Sequence, residues 1–415
     1  MFEGENTMAA QPGRVLIVGA GPAGMALAYL LARRGVEVTV LEAHHDFARA
    51  FRGEGLQRSG IDAFRQMGLG EKFDAVPHIE AKTVEIYFSG KLIMRADPAE
   101  LGRAQVRLVS QPALLQLLAD EAGTYPSFRL ERGVSMRDFL RENGRVVGVR
   151  ATAGGLQRDY RADLVIGADG RNAATRKHSG LNELSTPQDY DLIWLKVPYP
   201  KDYPDQSTGM FEMAPNRAAI AFPTADGQLQ IGFVIPKGGY AEIRSRGTKA
   251  WLDELIGRLP AYLAEHLRTH RDAIADSTVL NVVCGRLESW STPGMLLIGD
   301  AAHPMSPVGG QGVNIALRDA LVAANHLVPV LTSGANSADV DAAAQRIQEE
   351  RWPEIVAVQK MQEHQARMLF VPDGWKGRLL QWMLPVLMRT GLLQRMHRKE
   401  YKLMSEGAVP VKLMV

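Results

Sequence analysis

Val15-Leu-Ile-Val18-Gly19-Ala-Gly21-Pro22-Ala23-Gly24, with the stretch that follows it to Glu42, decides the fold. The apolar run Val15 to Val18 reads as a buried strand, Met25 to Arg34 as a helix ended by Gly35, and Glu37 to Leu41 as a second strand closing on Glu42. Strand, glycine turn, helix and strand, with an acid eighteen residues after Gly24, is the pattern of a dinucleotide-binding unit. Gly19 permits the tight turn, Gly21 lets the backbone approach a pyrophosphate, and Gly24 lets the helix pack closely on the strand. Pro22 and Ala23 share that turn. The unpaired N–H groups and partial positive charge of a helix N-terminus favour phosphate. Glu42 is suited to accept hydrogen bonds from an adenosine ribose.

Two further motifs share this grammar. Asp163 to Gly167 reads as a buried strand that carries Gly167-Ala-Asp169-Gly170. Met295 to Ile298 reads as another and is followed by Gly299-Asp300-Ala-Ala-His303-Pro304, then Pro307, then Gly309-Gly310-Gln311-Gly312-Val313-Asn314. A helix from Asn314 to Val330 comes next. Hairpins are expected around Ser89-Gly90 and Asn143-Gly144, and a helix from Gln111 to Ala122 with Pro112 in its first turn. From Asp189 to Pro236 short β-rich runs (Leu192–Val197, Ala219–Phe222, Leu229–Ile235) suggest a sheet of its own. Ala250 to Ala264 and the stretch to Ala275 read as helical, and Ala338 to Leu403 as mainly helical, broken by Pro353, Pro372 and Pro385.

Bulk properties narrow the class. A chain of 415 residues suits two lobes. The 48 basic and 46 acidic residues leave a net charge of +2, which argues against a nucleic-acid binder. Cys284 is the only cysteine, so there is no intrachain disulfide, and no His/Asp/Glu cluster has metal spacing. No apolar run approaches the roughly 20 residues that span a bilayer, and residues 1–12 lack the apolar core of a signal peptide. These features fit the cytoplasm. Lys376 to Lys402 combines an apolar face with seven basic residues and one acid, Glu400. Peripheral membrane contact, a cap on the substrate pocket, pairing of two subunits, and packing on the first domain are all open to such a segment; the chain is expected to be a monomer or a homodimer.

The three motifs in this order resemble the class A flavoprotein monooxygenases, the para-hydroxybenzoate hydroxylase-like family, from about Arg14 to Arg351. The resemblance implies an α/β fold: a Rossmann-like FAD-binding domain, a β-sheet substrate domain and a helical C-terminal region. The expected boundaries are a flexible extension at 1–12, the FAD-binding domain at 13–78, 104–185 and 286–335, the substrate domain at 79–103 and 186–285, and the helical region at 336–415. It also implies that the first motif binds the adenosine diphosphate part of FAD, that Asp169-Gly170 serves FAD and the nicotinamide cofactor, and that Asp300 meets the ribityl chain. Arg52 matches an arginine near the FAD phosphates, where its fork suits phosphate oxygens. Gln111 matches a further FAD-contacting position, and Arg176 a basic position that could equally be a surface charge. There is no second dinucleotide motif, so NADH or NADPH is expected to bind transiently; Arg33-Arg34 is one candidate for the extra phosphate of NADPH, and a solvated helix end is the plain alternative.

Hydroxylation through a flavin C4a-hydroperoxide, as the resemblance implies, makes three physical demands. Negative charge near the flavin ring is met by backbone N–H groups of Val308-Gly309-Gly310-Gln311-Gly312-Val313-Asn314 at a helix N-terminus. Water is kept out by the stiff apolar wall of Pro304, Met305 and Pro307. The substrate is held by a roof, for which Trp194, Phe211, Met213, Phe222 and Phe233 are candidates, although aromatic residues fill cores in any case. The oxygen chemistry belongs to the cofactor. His303 reads as structural or flavin-adjacent. A base for a phenol is not identified; Tyr190, Tyr199 and His178 are the candidates. The function expected is FAD- and NAD(P)H-dependent hydroxylation, by molecular oxygen, of an aromatic (phenolic or polycyclic) small molecule. Alternatives are inactivation of a tetracycline-type antibiotic, flavin-dependent reduction of isoprenoid double bonds, and a flavin halogenase. The last would carry a Trp-x-Trp-x-Ile-Pro segment that is missing here. Flavin binding without turnover is a fourth alternative.

Overall fold

Five strands run parallel in one sheet, in the order Met295–Leu297, Leu164–Gly167, Arg14–Val18, Glu37–Glu42, Phe128–Arg132, with Ser291–Thr292 antiparallel at the edge. The computed structural model describes residues 14–48, 55–99, 105–200, 207–214, 217–257, 259–271, 277–369, 379, 383 and 392–415. A parallel sheet is covered on both faces, so its strands read as unbroken apolar runs; Leu164 to Gly167 is buried throughout. Each glycine/aspartate motif leaves the C-terminal end of one of three adjacent strands. Ligands bind at that edge of an open α/β sheet, so the strand order alone brings the three motifs together.

The helix Pro22–Ala32 packs against Gly312–Thr332 and Gln111–Gly123. An antiparallel meander of Val134–Glu142, Arg145–Ala153 and Leu156–Arg161 lies against the strands Glu37–Glu42 and Leu164–Gly167. Asn143 and Gly144 have φ of 49° and 80°, the turn that a two-residue hairpin favours. A second sheet has seven strands in the order Thr278–Leu280, Tyr190–Pro198, Gln228–Pro236, Arg217–Pro223, Thr208–Ala214, Thr83–Phe88, Lys91–Ala96. All neighbours are antiparallel except Thr208–Ala214 and Thr83–Phe88. Helices Tyr240–Arg246, Thr248–Ile256 and Ala261–Thr269 follow its long central strands, and the last two cover one face.

Several elements differ from the sequence reading. Ala250 to Ala264 is two helices, because the turn before Pro260 ends the first. Pro353 does not break its helix, which runs from Ser337 to Leu369. Pro353 and Glu349 are both exposed, so this turn of the helix lies on its solvent side, where a proline is best tolerated. Pro372 and Pro385 lie outside the described residues, as does most of Lys376 to Lys402. Val308–Thr332 is long and apolar enough to cross a membrane by composition, but 78% of its most apolar window is buried within the protein, as befits a core helix.

Candidate active site

Two of the three glycines of the first motif, Gly19 and Gly24, are fixed by protein neighbours. Gly19 has φ of 104°, and a Cβ there would lie 2.5 Å from the Ala168 carbonyl oxygen. A Cβ on Gly24 would lie 2.1 Å from the Gly19 oxygen. Both must be glycine for the protein's own packing. Gly21 has an ordinary φ of −77°, and the nearest atom to its Cβ position is the Ala168 oxygen at 3.8 Å. Among the described residues no atom demands glycine at this helix N-cap, which leaves a cradle into which a ligand's backbone-hugging group fits. Glu42 is buried beneath the motif: one carboxylate oxygen accepts the Ala20 N–H at 2.9 Å, and the other accepts the His44 N–H at 3.0 Å. The acid braces the turn as well as ending the second strand.

The second and third motifs are tied to each other. Asp169 accepts hydrogen bonds from the Thr175 N–H at 3.0 Å and from the Thr175 hydroxyl, and burial raises its carboxyl above the usual range. Arg171 Nε donates to Asp300 Oδ2 at 3.2 Å. Arg176 donates to the carbonyls of Asp300 at 2.9 Å, Ala301 at 3.2 Å and Arg171. Arg176 is therefore a clamp between motifs and not a surface charge. Arg171 Nη1 is buried with no hydrogen-bond partner among the described residues, a cationic donor beside Asp300. The sequence reading passed over Arg171, although it stands next to Gly170.

In the third motif's loop, Gly309 and Gly310 have φ of 76° and 64°. Among the described residues, a Cβ on Gly310 would meet nothing within 4 Å, and one on Gly312 only Asp300 Oδ1 at 4.0 Å. As at Gly21, the open space lies beside backbone. The side chains turn away from it. Gln311 Nε2 donates to the carbonyls of Gly309 at 3.2 Å and Met404 at 3.0 Å. Asn314 is fully buried: its Oδ1 accepts the Gln57 N–H at 2.9 Å, and its Nδ2 donates to the Gly310 oxygen at 2.9 Å. Pro307 and Val313 flank the loop half-buried. His303 is fully buried, with Nε2 2.8 Å from Asp319 Oδ2 and its ring 4.7 Å from that of Trp290. This is a structural histidine. Burial alone would raise the Asp319 carboxyl, but His303 and Arg351 outweigh it and hold it at about 2. Gln111 is buried at the start of its helix, and Arg52 lies outside the described residues.

Alternation along the seven-stranded sheet sorts the roof candidates. Trp194 meets Phe222 edge-on at 5.9 Å, and its ring fills the place where a Gly232 side chain would be, 2.5 Å from that Cβ position. Tyr190, Leu192, Trp194 and Phe222 form one apolar cluster with Val308 of the glycine loop. Phe211 packs beside it with Val84 and Met94, and Met213 follows two residues later on the same side. Phe233 does not join them. It points to the opposite face and packs on Trp251 at 6.0 Å, because neighbouring residues of a strand face opposite ways. Of the three candidate bases, only Tyr190 lies in the Trp194 cluster. His178 is an exposed partner of Asp138 at 3.4 Å, and Tyr199 packs on the helix-covered face. Arg33 donates to the Met67 carbonyl at 2.8 Å, which makes it a tether between helices.

Comparison with known proteins agrees with this architecture. The family described as FAD binding domain matches residues 13–353. The chain is 32% identical over 366 residues to 6-methylpretetramide 4-monooxygenase of Streptomyces rimosus, covering 86% of this chain and 84% of that enzyme. Its fold is similar to p-nitrophenol 4-monooxygenase PnpA from Pseudomonas putida DLL-E4, with a TM-score of 0.78 at 19% identity over 97% of this chain and 100% of the other. It is also similar to PqsL of P. aeruginosa, with a TM-score of 0.73 at 22% identity over 86% of this chain and 96% of the other.

Proposed function

Since the chain belongs to the class A FAD-dependent aromatic monooxygenases, we propose that it uses NADH or NADPH and molecular oxygen to hydroxylate an aromatic small molecule, phenolic or polycyclic. FAD, when bound, supplies the redox chemistry: it takes electrons from the nicotinamide and delivers them to oxygen. The protein's part is to bind, orient and keep dry. The open backbone at Gly21 and the N-terminus of Pro22–Ala32 suit the pyrophosphate. Asp300, oriented by Arg171, suits the ribityl hydroxyls, and Glu42 the adenosine ribose. The N–H groups of the Gly310–Asn314 turn suit the negative charge of a reduced ring.

The observation that carries the proposal is the single apolar cluster joining Val308 of the glycine loop to Trp194, Phe222 and Leu192 of the sheet. An apolar wall of this kind would suit a flat aromatic substrate beside the ring site and would keep water from it. The likeness to an enzyme named for 6-methylpretetramide favours a polycyclic substrate. The test is consumption of NADH and of NADPH by the FAD-loaded protein, with and without a panel of phenols and polycyclic aromatics, read by product mass. Stimulated consumption with a gain of one oxygen atom supports the proposal. A product that gains two hydrogens instead would make the protein a reductase.

A further inference from the structure

The chain's last residues are bound by the protein as a peptide would be. After the helix Leu392–Glu406, Gly407 turns with φ of 86° and the chain runs out extended. Gln66 grips one edge of it: Nε2 donates to the Val411 carbonyl at 3.2 Å and Oε1 accepts the Leu413 N–H at 2.8 Å. Asn325 grips the other: Nδ2 donates to the Lys412 carbonyl at 2.8 Å and Oδ1 accepts the Met414 N–H at 2.7 Å. Two primary amides thus stand in for the neighbouring strands of a sheet. Val411, Leu413 and Val415 pack on the core of the first domain, while Met414 is exposed. Upstream, Ala408 N–H donates to Glu354 Oε1 at 2.9 Å, and Arg318 donates to the Val409 carbonyl.

This segment touches the loop that faces the ring site. The Met404 carbonyl accepts from Gln311, and Met404 Sδ lies 2.9 Å from the Cβ position of Gly309. The gripping side chains also belong to elements that end at the loop. Gln66 ends the helix Arg58–Gln66, whose first turn is bound by Asn314 through Gln57. Asn325 lies on the helix that the loop begins.

We propose that Met404 to Val415 is a latch: its docking between Gln66 and Asn325 sets the Val308–Asn314 loop in the conformation that holds the flavin ring, so tail docking and FAD binding favour each other. This rests on the flavin reading above. It requires reciprocity, because two events that share one arrangement strengthen each other equally.

Two measurements test it. In the 415-residue chain, FAD is titrated by fluorescence quenching into wild type, the double variant Gln66→Ala/Asn325→Ala, and Gly407→Val. A side chain on Gly407 would meet Glu354 Oε1 at 2.2 Å and Arg318 Nη2 at 2.7 Å, whereas neither variant alters a proposed flavin contact. The expected result is at least a tenfold weaker FAD dissociation constant in both variants, with an altered visible spectrum of the bound flavin at saturation, which loss of overall stability alone would not produce. In wild type, amide hydrogen exchange at Leu413 and Met414 should slow severalfold when FAD binds; this second measurement needs no variant that folds. Wild type that takes up no FAD overturns the flavin reading and the latch together. Wild type that binds FAD, with variants of equal affinity and unchanged spectrum or with exchange indifferent to FAD, overturns the latch alone.

Discussion

The Tyr190 hydroxyl lies 2.7 Å from that of Ser306, and this hydrogen bond joins the seven-stranded sheet to the loop that leads into Val308 and Gly309. Burial pushes the phenol up to about 12, so near neutral pH Tyr190 is a neutral hydrogen-bonding group and not an anionic base. Tyr190→Phe should cost about 1 kcal/mol of stability and leave the shape of the pH profile unchanged from about pH 6 to about pH 9. With this tie between sheet and loop lost, more NAD(P)H should be spent without product. The ratio of product formed to NAD(P)H consumed measures this, and an unchanged ratio would remove the tie from the mechanism.

Gly21 and Gly24 should fail differently when given side chains. Gly24→Ala drives a Cβ onto the Gly19 oxygen at 2.1 Å and should destabilise the protein even without FAD. Among the described residues the Cβ of Gly21→Val meets only Ala168 O at 3.8 Å, so the apoprotein should keep its unfolding temperature while losing FAD. Thermal unfolding together with the flavin content of purified protein separates the two. Gly21→Val protein that purifies with full FAD would disprove the cradle.

The difference between these glycines marks how far the sequence could be read. The spacing of Gly19, Gly21 and Gly24 after Val15–Val18 was legible because strand, turn and helix are local. That Asp169 and Asp300 come to the same edge depends on parallel strand order, which the motifs imply only as a set. Non-local pairing was not legible. Nothing in Thr208–Ala214 announces that it lies parallel to Thr83–Phe88, more than a hundred residues earlier. Phe233 is a roof candidate by residue type alone; only the pairing of Trp194 with Gly232 separates the alternating set Ile231, Phe233, Ile235 from the Trp194 face. The tail's grip by Gln66 and Asn325 leaves no pattern, since side-chain amides that bind backbone look like any polar residue on a helix.

Gly232 owes its identity to Trp194. Gly232→Ala places a methyl 2.5 Å from the indole ring, which must tilt or leave the cluster it shares with Phe222 and Val308. Overpacking of this kind costs about 1–3 kcal/mol. If Trp194 forms the substrate's ceiling, the variant should raise KM for the aromatic substrate several-fold while leaving the FAD dissociation constant unchanged. A change in FAD affinity with KM preserved would place Trp194 in structural support of the flavin instead.

Glu212 should make the protein less stable in mild alkali than in acid. Its carboxyl is buried, one oxygen accepts the Gly90 N–H at 3.0 Å, and the other has no partner among the described residues. Burial pushes it up from 4.5 to about 7. Because the folded value lies above the unfolded one, the folded protein keeps the proton through a window in which the unfolded chain has released it. The associated stability is complete below about 4.5, declines as the pH rises to about 7, and is lost above that, by on the order of 3 kcal/mol at most. Glu212→Gln mimics the protonated acid, retaining the oxygen that accepts from Gly90 and carrying no charge to bury. The variant should match wild type near pH 4 and unfold at a higher temperature near pH 8. Parallel wild-type and variant unfolding temperatures across that range would mean that the unpaired oxygen is solvated and that Glu212 is an ordinary carboxylate.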